Sequence, residues 1–176
     1  ETDNKWVNYY CAQRGKVSGG KLVYAEPCRT ETTLFVRGNL ADMGEVSAPP
    51  EGCAYAIAGV PVLRQGKAVS WATAKAQGWE ASSLYATWHI FAGYGQDRSK
   101  ITVVALRTTT GNLIASGEGA KKLAALGLRE AIKLDGGGST ILRAGGKTPV
   151  CTAGNRRICT VLTFGGNPYP VPTRTL

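Results

Sequence analysis

Short apolar runs of β type, most of them closed within about ten residues by Gly, Pro, Asn or Asp, are what most limits the fold of this chain. They are TLFVRGNL at 33–40, CAYAIAG at 53–59, VPVLRQGKAV at 60–69, WHIFAGYG at 88–95, ITVVALRT at 101–108 and ICTVLTFG at 158–165. Their length suits strands rather than core helices. In VPVLRQGKAV, Gln65-Gly66 lies between two apolar halves, which predicts a tight hairpin whose turn takes positive φ. The 71–85 stretch stays open, since WATAKA suits a short helix while Gly78 and Ser82-Ser83 interrupt it. The clearest helix is predicted over 119–130, where Ala120, Leu123, Ala124 and Leu128 recur at helical spacing and Lys121, Lys122 and Arg129 face water. AIKL and ILRAGG then flank a glycine bend. With 176 residues and no internal repeat, the expectation is an α+β single domain, a mixed β-sheet rich in strands with few helices. Residues 1–30, aromatic but poor in aliphatics, read as an N-terminal arm pinned by a disulfide; 31–165 read as the domain, and 166–176 as a Pro-rich tail.

Lys and Arg number 21 against 12 Asp and Glu, a net charge of +9 that favours an anionic partner. No acidic residue follows Asp135, whereas Arg143, Lys147, Arg156, Arg157 and Arg174 do. No run reaches the roughly 18 apolar residues of a membrane span. The start at Glu1, without a basic and apolar leader, fits a mature secreted product or a trimmed chain. Cys11 with Cys28, and Cys151 with Cys159, each flank a turn-like segment and form two candidate disulfides of an oxidising compartment. Cys53 is then odd, and five cysteines also permit other pairings. With one histidine and no C-x-x-C pair, zinc is the weaker reading, and neither metal nor cofactor is expected. A nucleic-acid partner has charge and four Trp in its favour but no recognisable binding motif.

LDGGGST, at 134–140, is the most informative string for chemistry. An Asp at a strand end followed by three glycines allows a sharp turn that presents backbone N–H groups to a ligand oxygen, with the carboxylate available as acid, base or ligand. The alternative is a glycine-rich turn around a structural Asp.

The wider region resembles the phosphodiester glycosidase family, whose pattern runs as E-L-A, an apolar helix ending in L-G, a short strand, and N-L-D-G-G-G-S-S. Glu118, Ala120, Leu123, Leu126, Gly127, Ala131, Leu134, Asp135, Gly136, Gly137, Gly138 and Ser139 fall in the corresponding places without a gap. Lys133 stands for the usual Asn and Thr140 for the second Ser. Upstream, Pro61, Gly66 and Lys67 resemble a P-x-L-x-x-x-G-K hairpin with one residue fewer before the Gly, and His89, Gly95 and Arg107 fit an H-P-R-T-A-I-G segment and the strand after it. Phe91 stands where that segment has Arg, and the Asp before Gly-Arg is missing near Leu106. The resemblance covers roughly residues 53–145 and is strongest over 117–140.

This resemblance implies a secreted hydrolase that cleaves an N-acetylglucosamine-like sugar from a phosphodiester or acts on an anionic glycan. Such a reaction needs an oxocarbenium-like centre stabilised, water activated and the phosphate held. Asp135 is the expected carboxylate at the anomeric centre, and Gly136, Gly137, Gly138, Ser139 and Thr140 the loop that binds substrate oxygens. Arg107 is the expected phosphate clamp. Glu118 is either a second carboxylate or a partner of its helix N-terminus. His89 is either a base or a buried structural histidine. Arg98 or Arg64 could stand in for the missing Arg. The competing reading keeps the scaffold without turnover: an extracellular structural or glycan-binding protein that self-associates through residues 1–30.

Overall fold

The structure, a computed structural model, describes residues 15–18, 21–25, 30–48, 50–84, 88–108, 113–144 and 146–151. Strands β1 (Gly15–Ser18), β2 (Lys21–Ala25), β3 (Glu31–Arg37), β4 (Leu40–Val46) and β5 (Tyr55–Ala58) form one sheet in the order β2-β1-β5-β3-β4. A second sheet contains β6 (Val60–Arg64), β7 (Lys67–Ala68), β8 (Trp88–Tyr94), β9 (Thr102–Arg107) and β10 (Glu130–Lys133), ordered β7-β6-β10-β8-β9. β11 (Ile141–Ala144) and β12 (Lys147–Cys151) pair as a separate hairpin. The described strands pair antiparallel throughout, so the expected mixed sheet resolves into antiparallel ones.

Alternation along the strands explains how the layers meet. Leu34, Ala41, Met43 and Ile57 of the first sheet share one core with Ile90, Ala92, Tyr94, Ile132 and Leu134 of the second. The opposite face of the second sheet sets Leu63, Phe91 and Ala131 against Ala120, Leu123 and Leu128. Helix α1 (Trp71–Ala76) packs Ala74 against Val60 of β6, and α2 (Glu118–Ala125) buries Ala120 and Leu123. The second sheet is thus covered on both faces, and Asp135 lies just past the end of its strand β10.

The open 71–85 stretch resolves by capping. Ser70 Oγ accepts a hydrogen bond from the Thr73 N–H, α1 runs six residues, and Ala81–Leu84 form a short 3-10 turn. The predicted helix over 119–130 begins one residue earlier and ends at Ala125. Gly127, at φ 86°, turns the chain; its N–H bonds Ala124 O and the Leu128 N–H bonds Leu123 O. These are the two bonds of a Schellman cap, which frees Glu130 to begin β10. The hairpin at Gln65-Gly66 forms with φ 51° and 77°. The run at 33–40 is divided by a two-residue Gly38-Asn39 turn between Arg37 and Leu40. Within the stretch read as an arm, β1 pairs with β5 and so joins the first sheet. The pairs Cys11–Cys28 and Cys151–Cys159, the 158–165 strand and the 166–176 tail lie outside the described residues or side chains, and Cys53 is a buried free thiol.

Candidate active site

The site is best built from the rungs of the second sheet. Lys133 pairs with Phe91 on β8 and with Val60 on β6. The ladder continues past β10, because the Leu134 N–H donates to Ile90 O at 2.8 Å. Asp135 therefore lies level with His89, and Gly136 level with Trp88. A Cβ on Gly136 would stand 2.5 Å from the Trp88 carbonyl oxygen, so the glycine is required by the close passage of the two chains.

The loop spends much of its backbone on itself. The Gly136 N–H donates to Asp135 Oδ1 at 2.8 Å, the Ser139 N–H to Gly136 O at 3.0 Å and the Thr140 N–H to Gly137 O at 3.3 Å. Gly137–Ser139 form a 3-10 turn beside β8, with Gly138 exposed, Ser139 half-buried and Thr140 fully buried. Three of the five N–H groups expected to face a ligand are thus engaged within the loop. Asp135 is half-buried, with Oδ1 taken by the Gly136 N–H and no hydrogen bond to Oδ2 from the described residues.

His89 is completely buried and its ring stacks on Phe91, with centroids 6.0 Å apart and planes at 20°. Strand alternation puts His89, Phe91, Lys133 and, by extension of the ladder, Asp135 on the sheet face that packs against α2. Arg107 pairs with Trp88 at the same end of the sheet, but alternation sets it on the opposite face. It is exposed, with its guanidinium carbon 5.9 Å from the Trp88 ring centroid. Glu118 opens α2, where a charge interacts favourably with the helix N-terminus, and it pairs with Lys121 at 3.2 Å. Gly117 beside it approaches Ala68 of β7, two strands away from β10. His89 and the Asp135 loop are brought together; Arg107 shares their end of the sheet, and Glu118 stands apart.

Neither substitute arginine reaches this end. Arg64 pairs with Glu130 at 2.7 Å, and Arg98 pairs with Asp42 at 2.8 Å while donating to Ala41 O. Glu130 is opposite Tyr94, at the other end of β8. The burial of Lys133 beside this loop has no counterpart in the sequence reading: the residue is only 4% exposed, and its Nζ donates to Leu134 O at 3.0 Å. Burial pulls its pKa down to about 8, with the Asp135 carboxylate pulling the other way. The apparent Asn-to-Lys departure was its only signal. Among the described residues, no three His, Cys, Asp or Glu side chains gather as a metal site requires, and no helix is long and apolar enough to cross a membrane.

A strand-rich domain carrying a carboxylate on a triple-glycine turn defines a class, and comparison with known proteins gives it a family. The sequence profile of the phosphodiester glycosidases matches residues 5–164, so the chain belongs to the phosphodiester glycosidase family. The match reaches well beyond 53–145, where the resemblance is legible by eye. Among curated protein sequences none matches. Among solved structures, the catalytic domain of zebrafish N-acetylglucosamine-1-phosphodiester alpha-N-acetylglucosaminidase, auto-inhibited by its pro-peptide, superposes with a TM-score of 0.59 at 21% identity. That alignment covers 77% of this chain and 49% of the zebrafish chain, so this chain spans about half the length of that relative. A hypothetical protein from Synechocystis aligns with a TM-score of 0.43 and 18% identity, over 72% of this chain and 32% of its own.

Proposed function

We propose that this chain is an extracytoplasmic glycosidase that releases a sugar of the N-acetylglucosamine type from a phosphodiester. The observation that carries this reading is the half-buried Asp135 carboxylate on the Gly136–Gly138 turn, level with His89 at the end of the helix-covered sheet. Asp135 is suited to stabilise positive charge developing at the anomeric carbon or to activate water. The group that departs with the glycosidic oxygen is a phosphate monoester, a stabilised anion, so the site has less need of a strong general acid than one acting on an ordinary glycoside. Arg107 is exposed at the same sheet end on the edge strand β9 but on the opposite face, so it is suited to receive the phosphate only from the rim of the sheet. The net charge of +9 supports an anionic substrate.

Incubating the chain with an N-acetylglucosamine-1-phosphodiester tests the reading, with free sugar expected and the reaction mixture followed by anomeric proton NMR. Absence of sugar release from this and other sugar-1-phosphodiesters would contradict it.

A binding or structural role on the same scaffold is favoured by Phe91, which is wholly buried where the family pattern has Arg, and by Glu118, which is engaged at the surface with Lys121. The edge strand β2, in the stretch proposed for self-association, supports the assembly form of that role. Light scattering on the chain with and without residues 1–30 tests it, and a monomer indifferent to their removal contradicts it.

A further inference from the structure

The two positions at which the chain departs from the family pattern beside the site, Phe91 and Lys133, are cross-strand partners. Where the pattern puts a cation on β8, the chain has an apolar ring packed against Ala120 and Leu123; where it puts a neutral amide on β10, the chain has an ammonium. The positive charge is therefore still present, on the same rung, moved across one strand pair. It is also the nearest cation in sequence to the glycine turn on its upstream side.

We propose that Lys133 is the positioning cation of the site: its buried ammonium, bonded to Leu134 O on the peptide that leads into Asp135, fixes the end of β10 from which the carboxylate emerges on the same sheet face. This rests on the reading of Asp135 as the working carboxylate. A buried ammonium is costly to leave without an opposite charge, and Asp135 is the carboxylate that acts on it. The other ionisable groups on surrounding elements are placed differently. His89 shares the sheet face through β8, while β6 offers Val60 and Val62. Lys75 and Glu80, in and after α1, are exposed, as are Glu118, Lys121 and Lys122 of α2, and Glu31 is buried in the other sheet.

The pairing is read first without turnover. In the full chain labelled with 13C or 15N at lysine side chains, Lys133 is expected to titrate near pH 8, and at lower pH in Asp135→Asn, where the attracting charge is gone. A Lys133 titration that Asp135→Asn leaves unmoved overturns the proposal, whether or not the chain hydrolyses any substrate. The second readout uses an N-acetylglucosamine-1-phosphodiester. Wild-type kcat is expected to fall above about pH 8 as the ammonium loses its proton. In Lys133→Met kcat drops about ten- to a hundred-fold, KM changes little and that alkaline fall disappears. Wild-type kcat with the same alkaline limb in Lys133→Met overturns the proposal. A wild-type chain that releases no sugar at any pH instead removes the reading of Asp135, and the titration still decides the pairing.

Discussion

At the scale of single residues, the burial of the Lys133 ammonium costs the fold stability. In the unfolded chain its amine keeps a proton up to the ordinary value of 10.5, whereas in the fold it releases it near 8. Between those values the unfolded chain binds more protons, so stability rises with pH across that window. Below about pH 8 both states are protonated, and the fold carries the full cost of the buried charge, ~3 kcal/mol at 1.4 kcal/mol per pKa unit. Lys133→Met is therefore expected to stabilise the protein at pH 7 by roughly 2–3 kcal/mol in urea unfolding, with the gain shrinking toward pH 10.5. A variant less stable than wild type at pH 7 would show that the ammonium is a net structural asset. Lys133 was not legible in the sequence because a lysine in AIKL reads as the solvent side of an alternating strand. Its burial follows from long-range pairing, with β6 on one side and β8 on the other. Asp135 was legible because three successive glycines after an acidic residue announce a special backbone locally.

At the scale of elements, the candidate site depends on two segments of the chain passing very close. Gly136 lies so near the Trp88 carbonyl that Gly136→Ala must displace either the turn or the start of β8. The expected cost is about 1–3 kcal/mol by chemical denaturation, with hydrolysis impaired as well; an unchanged midpoint would mean that the two segments are looser than this geometry. Elements with local signals were readable in advance. The Gln65-Gly66 hairpin declared itself by its turn, and α2 by its apolar spacing. The end of α2 was placed too late because Leu128 continues the helical spacing although Gly127 has already reversed the chain. β4 was missed because LADMGEV carries Asp42, Gly44 and Glu45, and only its pairing with β3 makes it a strand. The Gly38-Asn39 dipeptide was the available sign of that hairpin. β1 was obscured in the same way, since GKVS has Val17 as its one large apolar residue and is held by its pairing with β2 and β5.

At the scale of the whole molecule, two sheets share one core while the second is also roofed by α2, and Asp135 emerges at an end of that doubly covered sheet. Family membership rests on a match to residues 5–164, while the zebrafish likeness, at 21% identity, speaks for the fold. The excess of positive charge belongs to this scale too. If it draws an anionic glycan to the site, KM for a sugar phosphodiester should rise with added salt, while a neutral glycoside is affected far less, because screening shortens the reach of the field to about 10 Å at 0.1 M. Equal salt dependence for the two would detach the charge from substrate capture. The most direct measurement of the central claim is the rate of sugar release by Asp135→Asn beside wild type, because that change keeps the side chain's shape and removes its charge. A working carboxylate at the anomeric centre predicts a loss of about a hundred- to ten-thousand-fold; equal rates from a variant of unchanged fold would contradict it.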